Sequence, residues 1–232
     1  MAVDLSPFLD SSLVGEQQRA ATVLHARAEL NANGFLLLTA GAAGPAADAA
    51  SASEQQPRSL LSDAGTETMF DAARRFFVAA ECDPAVAKAA TSVQAAATRG
   101  YAPVLTENFG SLIGTVGASN DFVAKFRVGP RAERDDAPPW LTTPWPPEEC
   151  APGFRQTATA CFDEFENVAA AAARLLSMVV GNPAIAAAIP EGDSSSILSL
   201  NRYAISARQL AELRAQGQRP LLKTTEYKLS CS

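Results

Sequence analysis

Histidine is almost missing from this chain: 232 residues carry one, His25. One imidazole is not a metal site, because a zinc or transition-metal centre needs several ligands and no second one stands near it. A nucleophilic triad needs a histidine placed between a Ser or Cys and an orienting acid, and no Gly-x-Ser-x-Gly elbow is present. His25 therefore reads as a partly exposed helix residue beside Arg27 and Glu29, and an unrelated hydrolase is disfavoured. Cysteine is also sparse. Cys82, Cys150, Cys161 and Cys231 contain no Cys-x-x-Cys pair, which excludes a zinc knuckle and a redox motif and fits reduced thiols in the cytoplasm. Basic charge is in deficit, 19 Lys and Arg against 25 Asp and Glu, so nothing draws the chain to nucleic acid. Long apolar runs are absent too: Val168 to Val180 is too short to span a bilayer and contains Arg174. The opening residues lack a basic start followed by an apolar stretch, so no signal peptide is expected.

What is present is an ordinary globular composition, 47% hydrophobic and 19% charged, in a chain long enough for one large or two small domains. Val3 to Phe8 reads as a strand running into a Pro turn. Ser12 to Ala32 reads as a helix with Ala21, Leu24 and Ala28 on its inner face, ended by Asn33-Gly34. Phe35 to Thr39 reads as a buried strand. Ala40 to Pro57, rich in Ala, Gly and Ser, reads as a loop. Thr66 to Ala80 reads as a helix turning Met69, Phe70, Ala73 and Phe77 inward, and Asp83-Pro84 starts a short one. Thr98 to Asn108 reads as a loop, Phe122 to Val128 as a weakly alternating strand, and Arg131 to Pro152 as a Pro-rich loop. Gly153 to Gly181 is the strongest helix, with Phe154, Ala158, Phe162, Phe165, Val168 and Leu175 in one stripe. Ser195 to Tyr203 reads as a strand and Ser206 to Gln216 as a polar helix. Leu221 to Cys231 is the final strand, with Tyr227, Leu229 and Cys231 alternating against Glu226, Lys228 and Ser230. The order predicts an α+β fold, helices packed on a mainly antiparallel sheet. No turn or polar tail follows the last strand, so the chain is expected to be the front part of a larger protein.

Few motifs survive scrutiny. The Gly110, Gly114, Gly117 run lacks the Lys-Ser/Thr of a phosphate loop and the strand and helix of a dinucleotide turn. Asp163, Glu164 and Glu166 fit a solvated helix face, and Glu133, Asp135 and Asp136 a solvated turn. Arg99-Gly100-Tyr101 could line a pocket, since Gly admits close backbone approach and Arg offers a planar fork to a carboxylate. On the strand around Asn201-Arg202-Tyr203, Asn201 and Tyr203 share one face while Leu200 and Arg202 share the other. An amide and a phenol side by side are costly to bury unless each finds a polar partner.

Several blocks in order carry a resemblance. Val3-Asp4-Leu5-Ser6-Pro7-Phe8 opens it. Asn33-Gly34-Phe35-Leu36-Leu37-Leu38 follows, with Thr39-Ala40-Gly41 where an Asn-His-Gly turn would stand. Then come Ala73-Arg74-Arg75-Phe76-Phe77 with Lys88, and Arg99-Gly100-Tyr101. Asp121, Phe126 and Gly129 form a block with Ala124 in place of Glu. Trp145-Pro146 and Phe154-Arg155 precede Leu200-Asn201-Arg202-Tyr203, which has Ala204 in place of Pro. In these blocks the chain resembles the non-haem Fe(II), 2-oxoglutarate-dependent dioxygenase superfamily of the isopenicillin N synthase type.

The resemblance implies an incomplete double-stranded β-helix, or jelly roll, behind a helical N-terminal region. Residues 1–150 would form that region, and 151–232 the long support helix and first core strands, truncated before the iron site. It implies that Asn201 and Tyr203 lie beside 2-oxoglutarate and that Arg99 and Tyr101 face a small-molecule substrate. The iron-binding His-x-Asp, the distant His and the Arg-x-Ser pair match nothing here, so catalytic and metal residues are none. Fe(II) and 2-oxoglutarate are implied for the parent protein, an oxidoreductase using O2. Neither is expected to bind this chain alone, which is expected to be inactive. The alternative is a metal-free binding or scaffold protein that pairs, or self-associates, through its final strand. No nucleic-acid or membrane partner is expected in either case.

Overall fold

The computed structural model describes residues 2–9, 15–40, 60–92, 99–107, 114, 122–130, 142–188, 196–203, 215 and 226–231. Among them run β1 (Val3–Asp4), α1 (Ser6–Leu9), α2 (Glu16–Asn33), β2 (Leu38–Thr39), α3 (Asp63–Cys82) and α4 (Pro84–Ala90). There follow β3 (Gly100–Ala102), β4 (Ala124–Val128), α5 (Phe154–Val180), α6 (Ala184–Ala187), β5 (Leu198–Tyr203) and β6 (Glu226–Cys231). The sequence-predicted loop over 40–57 and the polar helix over 206–216 fall outside the described residues, save Ala40 and Ala215. The chain divides into two compact units, Met1–Thr66 with Asp163–Ser194, and Glu67–Phe162 with Ser195–Ser232.

In the first unit, β1 pairs with β2 in parallel, Val3 opposite Leu38 and Asp4 opposite Thr39. Val3, Leu5 and Phe8 pack with Val23 and Ala26 of α2 and with Ala171, Leu175 and Val179 of α5. The expected strand over Val3 to Phe8 is thus corrected: it stops after Asp4 and a helical turn begins. The reason is local. The Asp4 carboxylate accepts the Ser6 backbone N–H at 2.9 Å, and Pro7 is pre-set for a first helical turn. Guanidinium groups meet the last carbonyls of two helices. Arg19 Nε and Arg174 Nη2 donate to Pro7 O and Phe8 O at 3.1 and 2.7 Å. Arg27 donates to Val179 O from Nε and Nη2 at 3.2 and 2.9 Å. Such groups satisfy carbonyls that helices leave open.

The inner face of α2 is also corrected. Ala21, Leu24 and Ala28 are exposed, Leu24 by 65%. Val23 and Ala26 are buried instead, with Leu30 packed against the same core. Apolar residues occur nearly all round this helix, so its sequence marks no single face. Gly34 ends it at φ 74°, its N–H donating to Leu30 O.

In the second unit, β3, β4, β5 and β6 form an antiparallel sheet in that order. One face carries Tyr101, Ala124, Phe126, Val128, Leu198 and Leu200, all buried. Phe76 is the hub of this core. It stacks on Phe154 (4.6 Å, 8°) and meets Phe126 and Tyr101 edge-on at 4.9 and 5.5 Å. Trp145 closes the cluster against Phe126 at 5.4 Å. Aromatic pairs at these separations contribute about 0.5–1.5 kcal/mol each beyond burial.

The α3 stripe gains Phe76 and Ala72, while Phe70 is only half-buried. The loop expected over Thr98 to Asn108 contains β3. Gly100 makes it possible: its φ is 87°, and a Cβ there would meet Ala90 O at 2.6 Å and Pro144 Cδ at 2.8 Å. Asp83 caps α4 by accepting the Ala85 N–H at 2.8 Å, with Pro84 following as the sequence suggests.

Candidate functional site

Sheet register decides which side chains meet. Lys125 lies opposite Asn201 and Arg127 opposite Ser199, and directly opposed residues point to one face with Cβ atoms about 4.5–5.5 Å apart. The alternation on β4 buries Ala124, Phe126 and Val128 and leaves Lys125 and Arg127 half-buried on the other face. Tyr203 shares that face by its period-two spacing from Asn201, and Leu200 and Arg202 point the opposite way, as the sequence implies.

On this polar face Glu107 bridges both cations. Its Oε2 accepts from Lys125 Nζ, and its Oε1 accepts from Arg127 Nη2 at 2.5 Å. Burial pushes the Glu107 carboxyl up, but the hydrogen bonds and charges of Lys125 and Arg127 more than offset this and hold it below the usual carboxylate range. The Ser199 hydroxyl donates to Asn201 Oδ1 at 2.9 Å, which orients the amide. Asn201 is 8% exposed.

The depressed carboxyl has a pH consequence. A group whose pKa is lower in the folded state adds stability above its unfolded pKa of about 4.3 and loses it as pH falls through the folded value. Glu107→Gln is therefore expected to cost about 0.5–1 kcal/mol at pH 7, discounted for its partial exposure. Urea melts should show that deficit shrinking as the pH falls below about 4. A deficit that stays constant on acidification would mean that the carboxylate charge is not what holds the cluster.

Arg99 and Tyr101 sit elsewhere. Arg99 is 5% exposed, and its Nη1 donates to Pro130 O at 3.4 Å. Its guanidinium occupies the space a Cβ at Gly129 would need. Burial lowers its pKa from the ordinary value, though a guanidinium stays charged at neutral pH. Tyr101 is buried on the core face, against Phe76 and Phe77. Burial raises its pKa, the charge of Glu81 raises it further and that of Arg202 lowers it, so the phenol stays neutral. Arg202 shares the core face and pairs with Glu81 at 2.5 Å. The structure thus brings Asn201 together with Tyr203 and places Tyr101 on the opposite face. The sequence reading missed Lys125, Arg127 and Glu107, although two cations spaced two apart on a strand are a visible signal.

The donor set does not fit an iron centre. The sequence has one imidazole. Its Nε2 lies 3.7 Å from Glu29 Oε1 on α2. Among the described residues no three His, Cys, Asp or Glu gather where a metal could sit, and no helix among them is long and apolar enough to cross a membrane.

No protein-family model matches the sequence, and no curated protein is similar to it. Solved structures are. A full-length Neurospora crassa protein in complex with alpha-KG superposes with a TM-score of 0.58 at 18% identity, over 91% of this chain and 56% of that one. The complex of the same fungal protein with alpha-KG and thymine gives 0.57 at 19%, over 94% and 59%. A Caulobacter crescentus protein assigned to the 2OG-Fe(II) oxygenase family gives 0.51 at 16%, over 84% and 56%. The chain therefore has the fold of the 2-oxoglutarate–Fe(II) oxygenases, as its motifs suggest, and spans a little over half the length of these neighbours.

Proposed function

We propose that this chain supplies the helical N-terminal region and the first jelly-roll strands of an Fe(II)/2-oxoglutarate-dependent oxygenase that oxidises a small organic molecule with O2. The observation that carries this reading is the likeness in fold to such oxygenases over about nine-tenths of the chain. The polar face of β4 and β5 is then the ligand side of the core. Asn201 and Tyr203 lie beside 2-oxoglutarate, where a hydrogen bond to a carboxylate contributes about 1.5–3 kcal/mol. Arg99 and Tyr101 act on the ligand side only indirectly, Arg99 by bracing Gly129–Pro130 and Tyr101 by packing the aromatic core behind the sheet. Since one histidine cannot complete a two-histidine, one-carboxylate set, residues 1–232 alone should not turn over.

The test is to read the coding sequence beyond Ser232, express the whole protein and follow oxygen uptake. Uptake should require both added Fe(II) and 2-oxoglutarate, and residues 1–232 should show none. Tight Fe(II) binding or turnover by residues 1–232, or no 2-oxoglutarate-dependent uptake by the whole protein, would overturn the reading.

A further inference from the structure

Lys125, Arg127, Ser199 and Asn201 stand as a cross-strand square, two residues on β4 opposite two on β5. Three of the four present nitrogen donors, and the fourth, Ser199, spends its proton on Asn201 Oδ1. Among the described residues, the Glu107 carboxylate reaches into this donor-rich face and is held by both cations. The three charged side chains keep 22%, 23% and 30% of their surface open, so solvent reaches the cluster. A planar carboxylate between an ammonium and a guanidinium is the arrangement by which proteins grip organic acids. Here the acid is the protein's own.

We infer that the Lys125–Arg127 pair is a binding subsite for the carboxylate of a small organic acid, and that Glu107 is an internal placeholder which the ligand's carboxylate displaces. The inference rests on reading this sheet face as a small-molecule site, though not on iron. Exchange of one carboxylate for another keeps the charge balance of the cations and frees Glu107 to solvent, so the intramolecular competitor weakens ligand binding without abolishing it. A neutral ligand cannot make this exchange, because displacing Glu107 for it leaves two cations uncompensated.

Calorimetric titration of residues 1–232 with glutarate, 2-oxoglutarate and thymine tests this. Glu107→Gln removes the competitor and should bind glutarate about ten-fold or more tightly than the unaltered chain, a factor equal to about 1.4 kcal/mol. Glu107→Asp should stay near the unaltered affinity. Lys125→Met and Arg127→Met should each lose most glutarate binding, and these two keep the test decisive if Glu107→Gln does not fold. Thymine should give no heat. Equal affinities for glutarate and 2-oxoglutarate indicate a grip on any such acid, the oxidised substrate included. A clear preference for 2-oxoglutarate assigns the subsite to the keto acid. Glutarate affinity unchanged by Glu107→Gln, or indifferent to both cation variants, overturns the inference. If glutarate binds as expected while the whole protein consumes no oxygen, the oxygenase reading fails and the subsite stands.

Discussion

Replacing Phe76 with alanine is expected to lower stability by about 3–5 kcal/mol, the usual cost of emptying a buried aromatic site. Phe76 has no exposed surface, and four other aromatic rings, Phe77, Tyr101, Phe126 and Phe154, lie within 5.5 Å of it between centroids. Collapse around the vacancy is hindered because its neighbours come from a helix, two strands and α3 itself. Against a typical total of about 5–15 kcal/mol, this loss brings a domain close to unfolding. Val78, two residues on and 47% exposed, is the control: Val78→Ala should change stability by no more than about 0.5 kcal/mol. Equal urea midpoints for the two variants would show that the aromatic cluster is not the core of this unit.

Gly100→Ala should cost about 2–4 kcal/mol, for two reasons that can be separated. The positive φ penalises any side chain, and the new methyl would also press on Ala90 O and on the ring of Pro144. Gly153 isolates the first term. Its φ is 71° and a Cβ there meets nothing within 4 Å, so Gly153→Ala should cost only about 1–2 kcal/mol. Thermal melts of the two variants give the steric part by difference. A Gly100→Ala protein as stable as Gly153→Ala would mean that the β3 start is loose enough to move aside.

The parts legible in the sequence share a physical cause, a strong periodic contrast. Phe154, Ala158, Phe162, Phe165, Val168 and Leu175 mark α5 by their helical spacing; four of the six are buried, and Phe165 and Val168 are half-buried. The Asn201–Tyr203 face is readable because strand geometry alternates without exception over three residues. The parts that are not legible lack such contrast. The inner face of α2 is hidden by alanines on every side, and its true face depends on β1, α1 and α5 packing over it. The strand β3 is three residues long and begins on a glycine whose role depends on Ala90 and Pro144, distant in sequence. Glu107 cannot be tied to Lys125 and Arg127 from spacing, since it stands 18 and 20 residues from them and only the β3–β4 pairing brings the two segments together. The cations themselves, alternating with Ala124, Phe126 and Val128, are visible as one face of a strand; the acid that joins them is not.

Both tryptophans, Trp140 and Trp145, and all three tyrosines, Tyr101, Tyr203 and Tyr227, belong to the unit formed by Glu67–Phe162 and Ser195–Ser232. The other unit holds neither residue type and is silent in the near-ultraviolet emission that they dominate. Intrinsic fluorescence therefore follows one half of the molecule and ignores its companion, while far-ultraviolet dichroism, to which α2, α3 and α5 all contribute, sees both. Two melting curves recorded on one sample can tell whether the halves give way together or in turn, with no label attached.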